Sequence, residues 1–440
     1  MFRLTLPAVG ENLIRFSARI IDTFLMGHLG TTALAVLGLS SQLFVLGNVF
    51  VAPIMVGGGV LVAQAIGAAD RQRAHRILGQ AIWLSLAVGV GMMIVGLTLA
   101  GPALQAIGGD EAVVQSGTPF LRLFLLRLPF FALIFALNNC LRGAGDTRTP
   151  MVIAVIQAVV RVGSALVLVN GFAGFPELGS SGVAVGAILG EIVGAGVLLY
   201  LLARGRLVLD LKQVPIALDV SLSKVLLRLG IPSGGEQLAL RLGQAANVRV
   251  IAGLGTVSYA AYLVGFNTLS VAFTVGIGFT VAATTIVAQQ VGARKPLAAR
   301  AGAIQTWIFG LITIGSLGLV MVVGAPVILS LFTSEGQVIE LATFPLQLAS
   351  LFLAAEATNQ ILSGAFRGAG DTVWPLLVTS GGNWLIRLPL TLVLIGRIGL
   401  VGAWLAIIIE ISLRALINTW RFFRMDWGTA VGPVLKGATR

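Results

Sequence analysis

Apolar runs of about 20 residues recur along the whole chain, separated by short polar, basic or glycine-rich segments. Such a run is long enough, as a helix, to cross a hydrocarbon core about 30 Å thick. Twelve of them are found near residues 5–27, 38–62, 77–100, 118–139, 151–171, 182–203, 227–251, 258–283, 299–323, 340–363, 374–396 and 401–422. None shows the strict apolar–polar alternation of a membrane β-strand. The pattern predicts an all-α polytopic membrane protein.

The polar segments carry a second pattern. "RGAGDT" at 142–147 returns unchanged at 367–372, and sliding the chain by 225 positions aligns much more. Pro7, Gly10 and Glu11 fall on Pro232, Gly235 and Glu236, and "VAQ" at 62–64 falls on "VAQ" at 287–289. Pro150 meets Pro375, and a one-residue gap then brings Arg161 onto Arg387. Each half has six spans, an even number, so the halves run the same way through the membrane, as parallel transporter repeats do. The predicted division is a six-helix lobe over residues 1–203, a cytoplasmic linker over 204–225, polar and wet by composition, and a second lobe over 226–440.

Composition agrees. Of 440 residues 57% are hydrophobic and 10% charged, with a mean hydropathy of +0.98, whereas a soluble domain carries about 25% charged residues. Basic residues crowd the loops after even-numbered spans: Arg71, Arg73 and Arg76, then Arg142 and Arg148, then Arg204 through Arg228. The alternate loops hold mostly acids, Asp110, Glu111, Glu177, Glu335 and Glu340. The positive-inside rule then puts both termini in the cytoplasm. The net charge of +12 follows from this asymmetry and from anionic lipid, so no nucleic-acid partner is required. Cys140 is the one cysteine, which excludes an intrachain disulfide. The first apolar stretch is interrupted by Glu11, Arg15, Arg19 and Asp22, so no cleavable signal is predicted there.

The repeated hexapeptide is not a phosphate loop, since Gly-Lys-Ser/Thr does not follow its glycines. Its glycines suit a tight turn at a helix C-terminus. Asp146 and Asp371 suit capping of the next helix, and Arg142 and Arg367 suit the lipid headgroups, with a gating role as the alternative.

Ionisable groups at bilayer depth cost at least about 2.5 kcal/mol each on the insertion scale, so each is a functional candidate. Glu11, Arg15, Arg19 and Asp22 fall within about 80° of one another at 100° per residue, a stripe that must face a protein interior or a cavity. Span 7 repeats it in muted form as Glu236, Gln244 and Asn247. Glu191 and Glu410 occupy matched depths in spans 6 and 12, suited to packing or to a central cavity, with Arg161 and Arg387 as counterions for them. Glu356 stands where the first half has Phe131, so the repeat does not explain its charge.

Two six-helix halves, "IIDTFLMGHLG" at 20–30, and "LRGAGDT" and "FRGAGDT" after spans 4 and 10 resemble the multidrug and toxic compound extrusion (MATE) family over essentially the whole chain. The resemblance implies a V-shaped bundle of two lobes that exports organic cations and other amphipathic drugs in exchange for H⁺ or Na⁺. It implies a cation-coupling role for Asp22 and for Glu356, which precedes the loop arginine by eleven residues. Glu236 is open between a proton or Na⁺ ligand and a structural role at a helix N-terminus. Span 5 departs from members with a second aspartate there: "VIQAVVRVGSALVLV" at 155–169 offers only Gln157, Arg161 and Ser164, and an Arg161 close to Asp22 instead of Glu191 would disfavour proton uptake by Asp22.

The expected partners are drug-like small molecules and membrane lipid. The expected state is a monomer in the cell membrane, with no cofactor beyond the coupling ion. Two alternatives remain. A lipid-linked oligosaccharide flippase would need a strongly cationic cavity, and the span acids are outnumbered by arginines. A membrane-embedded enzyme would need a catalytic motif, and neither Gly-x-Ser-x-Gly nor His-Glu-x-x-His is found.

Overall fold

The computed structural model describes residues 2–215 and 217–428, and no strand occurs among them. The helices are α1 (Phe2–His28), α2 (Thr31–Gly67), α3 (Arg71–Ala106), α4 (Glu111–Leu125), α5 (Leu128–Gly143), α6 (Arg148–Asn170) and α7 (Ser180–Ala203). The second half follows with α8 (Val220–Ala252), α9 (Thr256–Gly292), α10 (Pro296–Ser330), α11 (Gly336–Leu351), α12 (Leu353–Gly368), α13 (Val373–Gly381) and α14 (Leu388–Arg424).

These helices make twelve crossings among the described residues. Seven helical stretches are long and apolar enough to cross outright. The last of them, Val373–Arg424, is two crossings, because Ile398 and Gly399 leave the helical region, Gly399 at φ +59°. Two more crossings are broken helices: α4 and α5 meet at a bend of 44°, α11 and α12 at a bend of 50°. The remaining two are α1 and α8, of 27 and 33 residues, whose polar stripes lower their hydropathy. The chain is a multi-pass membrane protein.

The one-residue gap in the repeat has a structural form. Between α13 and α14 the backbone makes a π-turn over Gly382–Arg387, and such a turn absorbs one extra residue inside a helix. Pro375 keeps the 225-residue register with Pro150, while Arg387 follows its partner Arg161 by one more.

The chain folds as two compact units, Leu6–Gly234 and Gly235–Arg440, the latter together with Met1–Thr5. The first turns of α8 belong with the N-terminal unit because they pack on α2. A Cβ on Gly230 would lie 1.8 Å from the Pro53 carbonyl oxygen, so only glycine permits that approach. Gly57, Gly58 and Gly59 serve the same end, facing Leu226, Cys140 and Asn139, and α2 runs through them unbroken. The linker is docked rather than simply wet. Leu209 is buried, and Gln80 on α3 donates to the Ala217 carbonyl at 3.1 Å and accepts from the Asp219 amide and the Ser223 hydroxyl. Asp219 in turn caps α8, accepting from the Leu222 amide at 3.0 Å.

Candidate functional site

The stripe on α1 faces a cavity of about 490 Å³ inside the N-terminal unit, walled by α1, α2, the α4–α5 break, α6 and α7. Arg15, Arg19 and Asp22 all line it. Asp22 is 2% exposed; its Oδ2 is ion-paired with Arg161 Nη2, and its Oδ1 has no hydrogen-bond partner. Of the two acids the sequence offered it, Glu191 and Asp22, Arg161 therefore serves Asp22. Glu191 is held instead by Gln157, whose Nε2 donates to it at 2.6 Å. Gln157 also accepts from Arg15 at 3.2 Å, and Arg15 Nε pairs with Glu11 at 3.3 Å. Glu11 takes its shortest contact, 2.5 Å, from Arg142. A polar chain thus runs Arg142–Glu11–Arg15–Gln157–Glu191 through α5, α1, α6 and α7.

Arg142 is tied to a buried carboxylate, and so is Arg367, which grips Glu236 at 2.8 and 2.7 Å through both carboxylate oxygens. Both arginines stand beside a glutamate one repeat apart, and pairing relieves the larger cost of burying each charge alone. The rest of the repeated loop behaves as its residues predict. Gly145 and Gly370 take φ of +91° and +94°, and Asp146 and Asp371 donate back to the carbonyls of Leu141 and Phe366, closing each helix in the Schellman manner. The Asp146 carboxylate caps α6 through the Thr149 amide at 3.0 Å, and Asp371 caps α13 through the Trp374 amide at 3.0 Å.

In the C-terminal unit the acids cluster around a different arginine. Arg414 lies 2.5 Å from Glu410 and 3.6 Å from Glu356, and Gln360 donates to Glu356 at 3.1 Å. Arg414, one helical turn along α14 from Glu410, makes the direct contact with it, while Arg387, the expected counterion, acts on it from farther off. Glu236 also accepts from the Thr379 hydroxyl at 3.1 Å. Asn247, where the first half has Asp22, is buried and neutral. It donates to the Gly243 carbonyl at 2.8 Å and accepts from Thr391 at 2.9 Å. One lobe therefore holds a carboxylate–guanidinium contact where the other holds a hydrogen-bonded amide.

One prominent residue escapes the sequence reading. Arg127 sits in the break between α4 and α5, just before Leu128 and Pro129, and the bend turns it into the cavity. It is 4% exposed, with its Cζ 3.9 Å from the ring centroid of Phe44 and 4.0 Å from that of Phe124. Each desolvated cation–π contact contributes about 2 kcal/mol, which offsets part of the several kcal/mol that burying a guanidinium costs. The signal was available: an arginine inside an apolar run, two residues before a helix-breaking proline.

An internally repeated twelve-span helical protein with paired charges around a cavity has the build of a transporter. The MatE family model matches residues 7–167 and again 232–393, and the chain belongs to that family. A relative from Thermotoga maritima, named a probable multidrug resistance protein NorM, is 30% identical over 433 residues, covering 97% of this chain and 92% of its own. The probable multidrug resistance protein YoeA of Bacillus subtilis is 25% identical, covering 96% and 92%. Among solved structures, a MOP superfamily transporter from Pyrococcus furiosus, described as having a binding pocket of reverse polarity, superposes with a TM-score of 0.89 at 20% identity, covering 98% of this chain and 96% of its own. A MATE protein in complex with MaL6 gives the same TM-score and identity, covering 99% and 96%. Both bear out the fold.

Proposed function

We propose that the protein is a secondary active multidrug efflux antiporter of the cell membrane. With both termini cytoplasmic, it exports amphipathic drugs, organic cations among them, in exchange for H⁺ or Na⁺ by alternating access. The observation that carries this reading is Asp22, a buried carboxylate on a cavity wall with one oxygen paired to Arg161 and the other free. A carboxylate so placed can take up a cation when the arginine contact loosens and release it when the contact re-forms. The names of the relatives support drug-like cargo, as does the cavity of about 490 Å³, within the range of about 300–1,000 Å³ usual for small-molecule sites.

The flippase alternative gains one observation, the four arginines that line this cavity against two acids. The family match and the cavity volume favour the exporter. Purified protein in proteoliposomes loaded with a fluorescent cationic dye, under an imposed pH or Na⁺ gradient, tests the reading. Gradient-dependent dye movement supports it; no movement with either ion overturns it.

A further inference from the structure

The N-terminal cavity has an electrostatic bias that cation export does not need. Arg15, Arg19, Arg127 and Arg161 line it, against Asp22 and Glu191. Arg161 is taken up by Asp22 and Arg15 by Glu11. Arg127 is different: Glu191 and Asp22 act on it only through space, it makes no ion-pair contact among the described residues, and its Nε and Nη1 are buried donors with no acceptor. The guanidinium lines the cavity between two aromatic faces, and a small turn of the side chain brings its unsatisfied N–H groups to an anionic oxygen there.

The repeat argues that this arginine is not required by the fold. The same broken helix in the second half has Phe352 where the first has Arg127, and Glu356 where the first has Phe131. The break forms without a positive charge, so the charge is particular to the N-terminal cavity. Beside it runs an aromatic wall. Phe44 packs on Phe124 at 5.7 Å and on Phe131 at 4.7 Å, and Phe131 packs on Phe135 at 4.6 Å. Arg15 lies over Phe135 at the far end of that wall, 5.4 Å from the ring.

We propose that Arg127 is the head-group site for an acidic amphiphile: a small molecule with a carboxylate or phosphate on an aromatic or apolar body. The anion sits on Arg127 and the body lies along Phe44, Phe131 and Phe135. This rests on the transport reading and narrows its cargo, since the surplus of positive charge in this cavity disfavours an organic cation there.

A matched pair of probes tests it: 2-naphthoate and 2-naphthylmethylammonium, which share an apolar body and differ in the sign of the head group. Binding is measured by calorimetry on the purified full-length protein in neutral detergent. The wild type is expected to bind naphthoate more tightly than the ammonium twin. Arg127→Gln is expected to weaken naphthoate by about tenfold or more, the usual worth of a hydrogen bond to a charged group, with Arg127→Lys in between. Tighter binding of the ammonium twin by the wild type overturns the proposal whether or not the variants fold. Equal naphthoate affinity in folded Arg127→Gln overturns it too, and so does loss of naphthoate binding on adding phosphatidylglycerol, which would give the site to lipid. Naphthoate binding through Arg127 without gradient-driven efflux of either naphthoate or dye from proteoliposomes faults the transport reading alone.

Discussion

Arg142 Nη2 stands 2.5 Å from Glu11 Oε2, joining the end of α5 to the middle of α1. Arg367 and Glu236 form the same pair one repeat later at 2.7 Å. The two loops that look like signatures in the sequence are, in the fold, anchors for the two stripe-bearing helices.

That arrangement predicts a coupled loss. Glu11 is buried, so Arg142→Gln leaves it with Arg15 alone, and breaking a buried pair costs about 3–5 kcal/mol. The expected result is a clearly lower thermal midpoint of the detergent-purified protein for Arg142→Gln, with most of it restored in the double variant Glu11→Gln/Arg142→Gln. Strictly additive losses would show that the two side chains act separately.

Glu356 shares Arg414 with Glu410, and at 3.6 Å its contact is the looser of the two. Loose pairing suits a group that exchanges its partner for a cation. Glu356→Gln is expected to abolish gradient-driven dye efflux while leaving expression and membrane insertion at wild-type level. Unchanged efflux would make Glu356 a packing residue.

Asp219 anchors the start of α8 from outside the membrane. The hydroxyl of Ser221, first, and the amide of Leu222 hold its carboxyl below the ordinary value. A depressed folded pKa means the cap is at full strength above the unfolded value of about 3.9 and weakens as pH falls through the lower folded one. Asp219→Ala is expected to cost about 0.5–2 kcal/mol at neutral pH. The gap in thermal midpoint from wild type should close as pH falls below about 4. A gap that is constant down to pH 3 would exclude the carboxylate as its source.

Much of this was legible in the chain. A 225-residue slide revealed the repeat, and a periodicity of 100° per residue put Glu11, Arg15, Arg19 and Asp22 on one face. Capping by Asp146 and Asp371 followed from residue type alone. What periodicity cannot supply is the choice of partner. Arg142 lies 131 residues from Glu11 and Arg161 lies 139 from Asp22, so no local spacing selects these pairs. Repeat matching offered Arg161 to Glu191 and the missing span-5 aspartate offered it to Asp22; packing of α6 beside α1 decides for Asp22. Arg127 was overlooked because it has no charged counterpart in the repeat; its partners are two phenyl rings, which carry no polar signal in sequence.

The orientation proposed for the chain is open to labelling. Gln72, at the start of α3, and Gln105, at its end, are both exposed, and the native Cys140 is buried. Gln105→Cys is expected to react with a membrane-impermeant maleimide on intact cells, and Gln72→Cys only after permeabilisation. The reverse accessibility would invert the topology and move both termini outside.

Asp22 carries the strongest prediction. It lies on a cavity wall, buried, with its charge answered by Arg161 from α6 and one oxygen left open. Its counterpart Asn247 is neutral and hydrogen-bonded at both Nδ2 and Oδ1, so it cannot bind a cation in the same way. A ligand shifts a conformational equilibrium only by its differential affinity for the two states. An Asp22–Arg161 contact that tightens in one state and loosens in the other supplies that difference. Asp22→Asn removes it while preserving shape. The variant is expected to assemble and to bind dye in detergent, yet to lose gradient-driven efflux from proteoliposomes. Full coupled efflux by Asp22→Asn would mean that Asp22 only neutralises Arg161.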